Sequence, residues 1–390
     1  MVTIDGRLVV RLTQDLIRFQ SVNPPGDEQP VAEYLARVLS DHGIEATLQP
    51  LDPGRANLLA RLPGDGTGSL VFTGHLDVVP PGEQPWDHGP FSGDLVDGRI
   101  YGRGSADMKG GVAAIVTAMI ALKDAGLQPV ADIVLAATAG EEAGLYGAGV
   151  MAQDRSLEGA RWLVVAEPTD LNVFIAEKGI LWIDVTASGR TAHGSMPHLG
   201  ANAISFMARL IERLDVSYPF PYDAGPLLGA PTLSVNTIQG GNKTNVVPDA
   251  CRISIDMRTV PGQRHGEIVR DLQTLAREVA EEFDPDIGVR VDVVHDEPPV
   301  ETPRQDALVQ AAIETVSRVR GTPEVGGVAY ATDAAVLCPA FDIPMVICGP
   351  GAPGMAHQPN EHVPIEQLTQ AAQIYADLAL NLVGSSRAAT

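Results

Sequence analysis

The sequence predicts an α/β protein interrupted by a smaller α+β domain of ferredoxin-like type. Short, wholly apolar strands alternate with helical segments over the first 178 residues. Near Lys178-Gly179 the order changes to strand, helix, strand, strand, helix, strand. After a Pro-rich stretch, EPPVETP (297–303), helix and strand alternate again. Domain boundaries follow as 1–178, 179–296 and 297–390, one α/β domain in two pieces with an insertion between them.

Residues 7–20 and 30–42 carry apolar side chains at helical spacing, Leu8, Leu12 and Leu16 among them. Leu70–Thr73, Ile133–Ala137 and Trp162–Ala166 are short apolar runs. Such runs between helices indicate strands covered on both faces. Residues 110–125 read as a buried helix. The insertion reads as a strand over 180–188, a helix over 200–214 and a strand over 231–239. A strand over 250–258, a helix over 263–283 and a strand over 288–295 complete the split βαβ plan. The EPPVETP stretch reads as a linker. Beyond it come a helix over 305–319, a strand over 343–348 and a helix over 364–382.

The formal net charge is −22. So acidic a surface repels phosphate backbones and anionic lipid, and excludes nucleic acid and membrane as expected partners. The longest apolar run, Val112–Leu122, is too short to span a bilayer. The amino terminus lacks the layout of a signal peptide. Cys251, Cys338 and Cys348 form no CxxC pair and read as small buried hydrophobes, which fits a reducing cytoplasm.

Four segments place a His or a carboxylate at a strand end or a glycine-rich turn. GHLDVVP (74–80) ends an apolar strand with His75 and Asp77 two apart, on one side of the chain. A carboxylate is a frequent partner for the second nitrogen of a metal-binding imidazole. GRGSADMKGG (102–111) holds Asp107 where glycines permit close backbone approach to an ion. TAGEEAG (138–144) sets Glu141 and Glu142 just past a buried strand, and neighbouring side chains point apart, so one is free to ligate and the other to act as a base. AEPT (166–169) places Glu167 at the end of the next strand. A Gly- and Pro-rich loop near the carboxyl terminus adds His357. Two imidazoles and three carboxylates suit zinc, cobalt or manganese. There is no HExxH, no GxSxG elbow and no Walker-type phosphate loop.

Together with the carboxyl-terminal AHQPNE, these segments resemble the metallohydrolase family of acetylornithine deacetylase, succinyl-diaminopimelate desuccinylase, aminoacylase and glutamate carboxypeptidase. The resemblance spans nearly the whole chain. It implies a catalytic domain with a central mixed sheet flanked by helices, and an inserted lid that dimerises. It implies two divalent metal ions, zinc first and cobalt or manganese as alternatives. His75 and Glu167 would hold one ion, Glu142 and His357 the other, and Asp107 would bridge them. Asp77 would orient His75, Glu141 would be the general base, and the Asp107–Met108 peptide would be cis. SGRTAHGSMPHLGANAI (188–204) is similar to the family's lid motif, which implies that His193 binds the substrate carbonyl, in its own subunit or across a homodimer. NVVP (245–248) and DMR (256–258) make Asn245 and Arg258 substrate-binding candidates, Arg258 through a bidentate grip on a carboxylate. The implied reaction is hydrolysis of the amide of an N-acyl amino acid, as in a deacetylase. The alternatives are a dipeptidase or carboxypeptidase with the same centre, or a succinyl-diaminopimelate desuccinylase. YATDAAVL (330–337) has Ala335 where desuccinylases carry an arginine, which counts against a succinyl substrate. His42, His88, His265, His295 and His362 fall in no ligand motif and read as structural or solvated.

Overall fold

In the computed structural model the described residues are 2–64, 68–217, 222, 225 and 227–387. The chain divides into two compact units. Met1–Ile175, Glu301–Gly327 and Thr332–Thr390 form the first, Ala176–Val300 and Val328–Ala331 the second.

The first unit is built on a mixed sheet. Its order is Glu45–Pro50, Ala56–Leu62, Asp132–Thr138, Ser69–His75, Ala160–Pro168, Met345–Gly349, Val173–Glu177 and Val300–Glu301, and Val325–Val328 also pairs with Val173–Glu177. The four central strands, from Asp132–Thr138 to Met345–Gly349, run parallel. Ser69–His75 is buried along its whole length. A strand covered by helices on both faces needs side chains that suit an apolar setting on both, so it loses the alternation of a half-exposed strand. The helix Lys109–Asp124 is buried from Lys109 to Leu122 and packs against Ile365–Val383 and Gly6–Arg18. The last of these starts at Asp5, whose side chain accepts the N–H groups of Arg7 and Leu8. Among the described residues no helix is long and apolar enough to cross a membrane.

Sequence pattern missed the antiparallel hairpin of Glu45–Pro50 and Ala56–Leu62 at the sheet edge. Its first strand is partly solvated along its length and carries neither an apolar run nor strict alternation. The stretch read as a linker contains the short sheet strand Val300–Glu301. Two glycines set a close approach that matters for the site. A Cβ on Gly111 or Gly349 would collide with the carbonyl oxygen of Ala166, beside Glu167.

The second unit carries an antiparallel sheet in the order Thr232–Gly240, Ala250–Thr259, Gly179–Ser188, Gly288–Glu297. Leu181, Ile183, Val185 and Ala187 point to one face and pack with Phe206, Leu210 and Leu272 from the helices Ala203–Ser217 and His265–Phe283. The alternate residue Trp182 is exposed on the other face, as the strand's period of two requires.

Candidate metal centre

The site lies at the carboxyl ends of the four parallel strands, where open α/β sheets place their ligands. His75 is the last residue of Ser69–His75, and Glu167 lies near the end of Ala160–Pro168. Asp132–Thr138 leads into the short 3-10 turn Glu141–Ala143, and Met345–Gly349 leads into the loop that carries His357. Asp107 immediately precedes Met108, the N-cap of the helix Lys109–Asp124. The Asp107–Met108 peptide is cis.

Sequence-distant side chains converge there. His75 Nε2 lies 2.9 Å from Asp107 Oδ1 and 3.4 Å from Glu167 Oε1. His357 Nε2 lies 3.0 Å from Glu142 Oε1 and 3.3 Å from Asp107 Oδ2. Asp107 therefore offers one oxygen to each imidazole. Ligand atoms of His75, Asp107 and Glu142 all fall within 4.8 Å of one another. Glu141 shares the turn with Glu142, and among the described residues its carboxylate makes no hydrogen bond or ion pair.

Asp77 lies just beyond the strand and has a wider role than orienting His75. His75 Nδ1 is 3.0 Å from the backbone oxygen of Asp77 and 3.6 Å from its carboxylate. Asp77 Oδ1 accepts the N–H groups of Gly140 and Glu141, and Oδ2 accepts those of Glu142 and the Asn23 amide. One buried carboxylate thus fixes the turn carrying Glu141 and Glu142 as well as the ring of His75. Asn23 was not legible as part of the site, because it comes from a Pro-rich loop far away in sequence.

The donor set suits divalent ions. It offers imidazole nitrogen and carboxylate oxygen only, as zinc, cobalt and manganese accept. Donating Nδ1–H to the Asp77 carbonyl turns the Nε2 of His75 toward Asp107 and Glu167. Among the protein groups alone the charges are crowded. Burial, with Asp107 and Glu142 alongside, pushes Glu167 up to about 8, although His75 pulls the other way. Enclosure of its carboxyl, reinforced by Glu167, Glu142 and Asp333, holds Glu141 well above the usual carboxylate range. Hydrogen bonds to Asp107 and Glu142 push His357 up to about 10. A cation bound among these carboxylates would supply counter-charge and favour their ionised forms.

His193, Asn245 and Arg258 belong to the second unit. His193 is exposed, and its Nδ1 accepts from the backbone N–H of Ser195 at 3.1 Å. A backbone N–H only donates, so the ring proton of neutral His193 sits on Nε2. The Gly194 N–H donates to the Asn245 carbonyl, and His193 bridges Val246, so the two candidate segments are neighbours. Arg258 forks onto Asp256, with Nε at 2.8 Å and Nη2 at 3.1 Å.

Carboxylates and imidazoles gathered at the ends of parallel strands mark a metal-dependent hydrolase. Residues 71–381 match the model of peptidase family M20/M25/M40, and the chain belongs to this family of metallohydrolases. It is 31% identical to a probable succinyl-diaminopimelate desuccinylase of Staphylococcus epidermidis, over 95% of this chain and 96% of the other. It is 33% identical to an acetylornithine deacetylase of Edwardsiella ictaluri, over 84% of each. The crystal structure of aminopeptidase PepT from Bacillus cereus shares the fold, with a TM-score of 0.79 at 24% identity, over 97% of this chain and 99% of that one. The protein is a metallo-amidohydrolase.

Proposed function

We propose that the protein hydrolyses the amide bond of N-acyl amino acids in the cytoplasm, with two divalent ions, zinc foremost, and Glu141 as general base. The observation that carries this reading is Asp107 with one oxygen toward each imidazole, inside two overlapping ligand groups. His75, Glu167 and Asp107 would hold one ion, and His357, Glu142 and Asp107 the other. When bound, the ions supply an acidified water and polarise the acyl carbonyl. Glu141, whose carboxylate makes no hydrogen bond or ion pair among the described residues and whose own N–H is held by Asp77, takes a proton from the attacking water and returns it to the leaving nitrogen. His193 donates its Nε2 proton toward the oxygen of the acyl group, where charge develops. The inserted domain acts as lid and as the contact of a homodimer, and His193 serves the centre of its own chain or its partner's. Asn245 and Arg258 contact the amino-acid part, Arg258 exchanging Asp256 for a substrate carboxylate. Cys251, Cys338 and Cys348 are all buried, which fits a reducing compartment.

The relatives of known name include a deacetylase and a probable desuccinylase, so the acyl group is the part to measure. Acetyl-ornithine, succinyl-diaminopimelate, acyl-methionine and simple dipeptides are assayed in parallel with zinc or cobalt added. Turnover of acetylated amino acids above dipeptides is the expected result. Dipeptides as the better substrates would overturn the deacylase reading in favour of a peptidase, and a preference for succinyl groups would show that the missing arginine at Ala335 is replaced by another cation.

A further inference from the structure

We infer that Glu361 is a positioning residue that locks the loop carrying His357 to the loop carrying Asp107, and so sets the spacing of the two ligand groups. The inference rests on the metal reading given above. Glu361 is fully buried, in the same carboxyl-terminal loop as His357. Its Oε1 accepts the N–H groups of Ala106 at 2.9 Å and Asp107 at 3.0 Å. Its Oε2 accepts Arg103 Nη1 at 2.7 Å and the N–H of Gly104 at 3.1 Å. The Gly102 N–H donates to the Glu361 backbone oxygen. One residue thus accepts five hydrogen bonds from the segment 102–107, four at its carboxylate and one at its backbone carbonyl.

Burying a carboxylate carries a desolvation penalty unless charge-assisted hydrogen bonds compensate it. Here all the donors come from the one turn that presents Asp107. His357 is half-exposed, with its ring on Glu142 at 3.0 Å and its backbone in the left-handed region at φ 62°. Its loop is tied down by Glu361, by Arg103 reaching the Gln358 carbonyl, and by Asn360 paired with Asp87. The Glu361 lock, the tie that joins this loop directly to the Asp107 turn, therefore helps set how far His357 Nε2 stands from Asp107 Oδ2, the 3.3 Å contact that joins the two groups.

The test is cobalt binding to the metal-stripped full-length protein and its Glu361→Gln variant, followed by titration and by the cobalt absorption spectrum. Glutamine keeps the size but turns an N–H₂ toward donors. The wild type is expected to take up two equivalents, and the variant to bind at least one of them about 10–100-fold more weakly, the usual effect of removing a residue that orients a ligand. A purely structural role would lower the melting temperature of the stripped variant and leave cobalt affinity and spectrum at room temperature as in the wild type; that outcome overturns the inference alone. No uptake by the wild type overturns the metal reading and this inference with it. Should the variant not fold, amide exchange in the stripped wild type decides: slow exchange at Gly104, Ala106 and Asp107 is expected, and exchange as fast as in an open loop overturns the lock.

Discussion

Replacing Glu141 by glutamine is expected to lower kcat by about 10²–10⁴-fold, the range a positioned general base contributes, while metal content stays at the wild-type level. The geometry separates the two consequences. Glu142 reaches His357, whereas among the described residues the carboxylate of Glu141 makes no hydrogen bond or ion pair. The turn is held through backbone N–H groups on Asp77, which a side-chain change at 141 leaves in place. Steady-state kinetics with metal analysis on the same preparation checks it. Near-normal turnover removes Glu141 from the role of base, and loss of metal makes it a ligand instead.

Asp107→Asn is expected to fold, to hold at most one ion, and to lose at least about 10³-fold in turnover, since metal assistance contributes several kcal/mol and each 1.4 kcal/mol is tenfold in rate. Among the described residues, Asp107 is the carboxylate that pairs with both His75 and His357. Asparagine keeps its shape but turns one of the two oxygens into a donor. The fold should survive because the surrounding turn is held by its backbone N–H groups on Glu361, Asp107's own among them. Metal content and far-ultraviolet circular dichroism read the two effects apart. A folded variant with both ions and wild-type turnover contradicts the bridging position.

The central sheet and the first ring of the site could be read from the sequence because the same physics writes both. Strands buried on both faces are wholly apolar, so GHLDVVP, TAGEEAG and AEPT stand out as polar groups placed where apolar runs stop. His75, Asp107, Glu142, Glu167 and His357 come together accordingly. The residues that hold them in place were less legible. Glu361, Arg103 and Asn23 are buried and hydrogen-bonded across distances of tens to hundreds of residues, yet each sits in a Gly- or Pro-rich stretch where a polar residue reads as solvated. Asp77 was placed as a partner of His75, but its several contacts with the Glu141 turn depend on tertiary structure. Arg258 shows the same limit from the other side, since its pairing with Asp256 two residues away looks the same in sequence as an arginine left free for substrate.

The most direct measurement is amide hydrolysis of an N-acyl amino acid by metal-stripped protein during titration with zinc or cobalt. Turnover is predicted to vanish on stripping and to return as metal is added, saturating at two equivalents per chain. Full turnover with metal reduced to a trace would contradict the account.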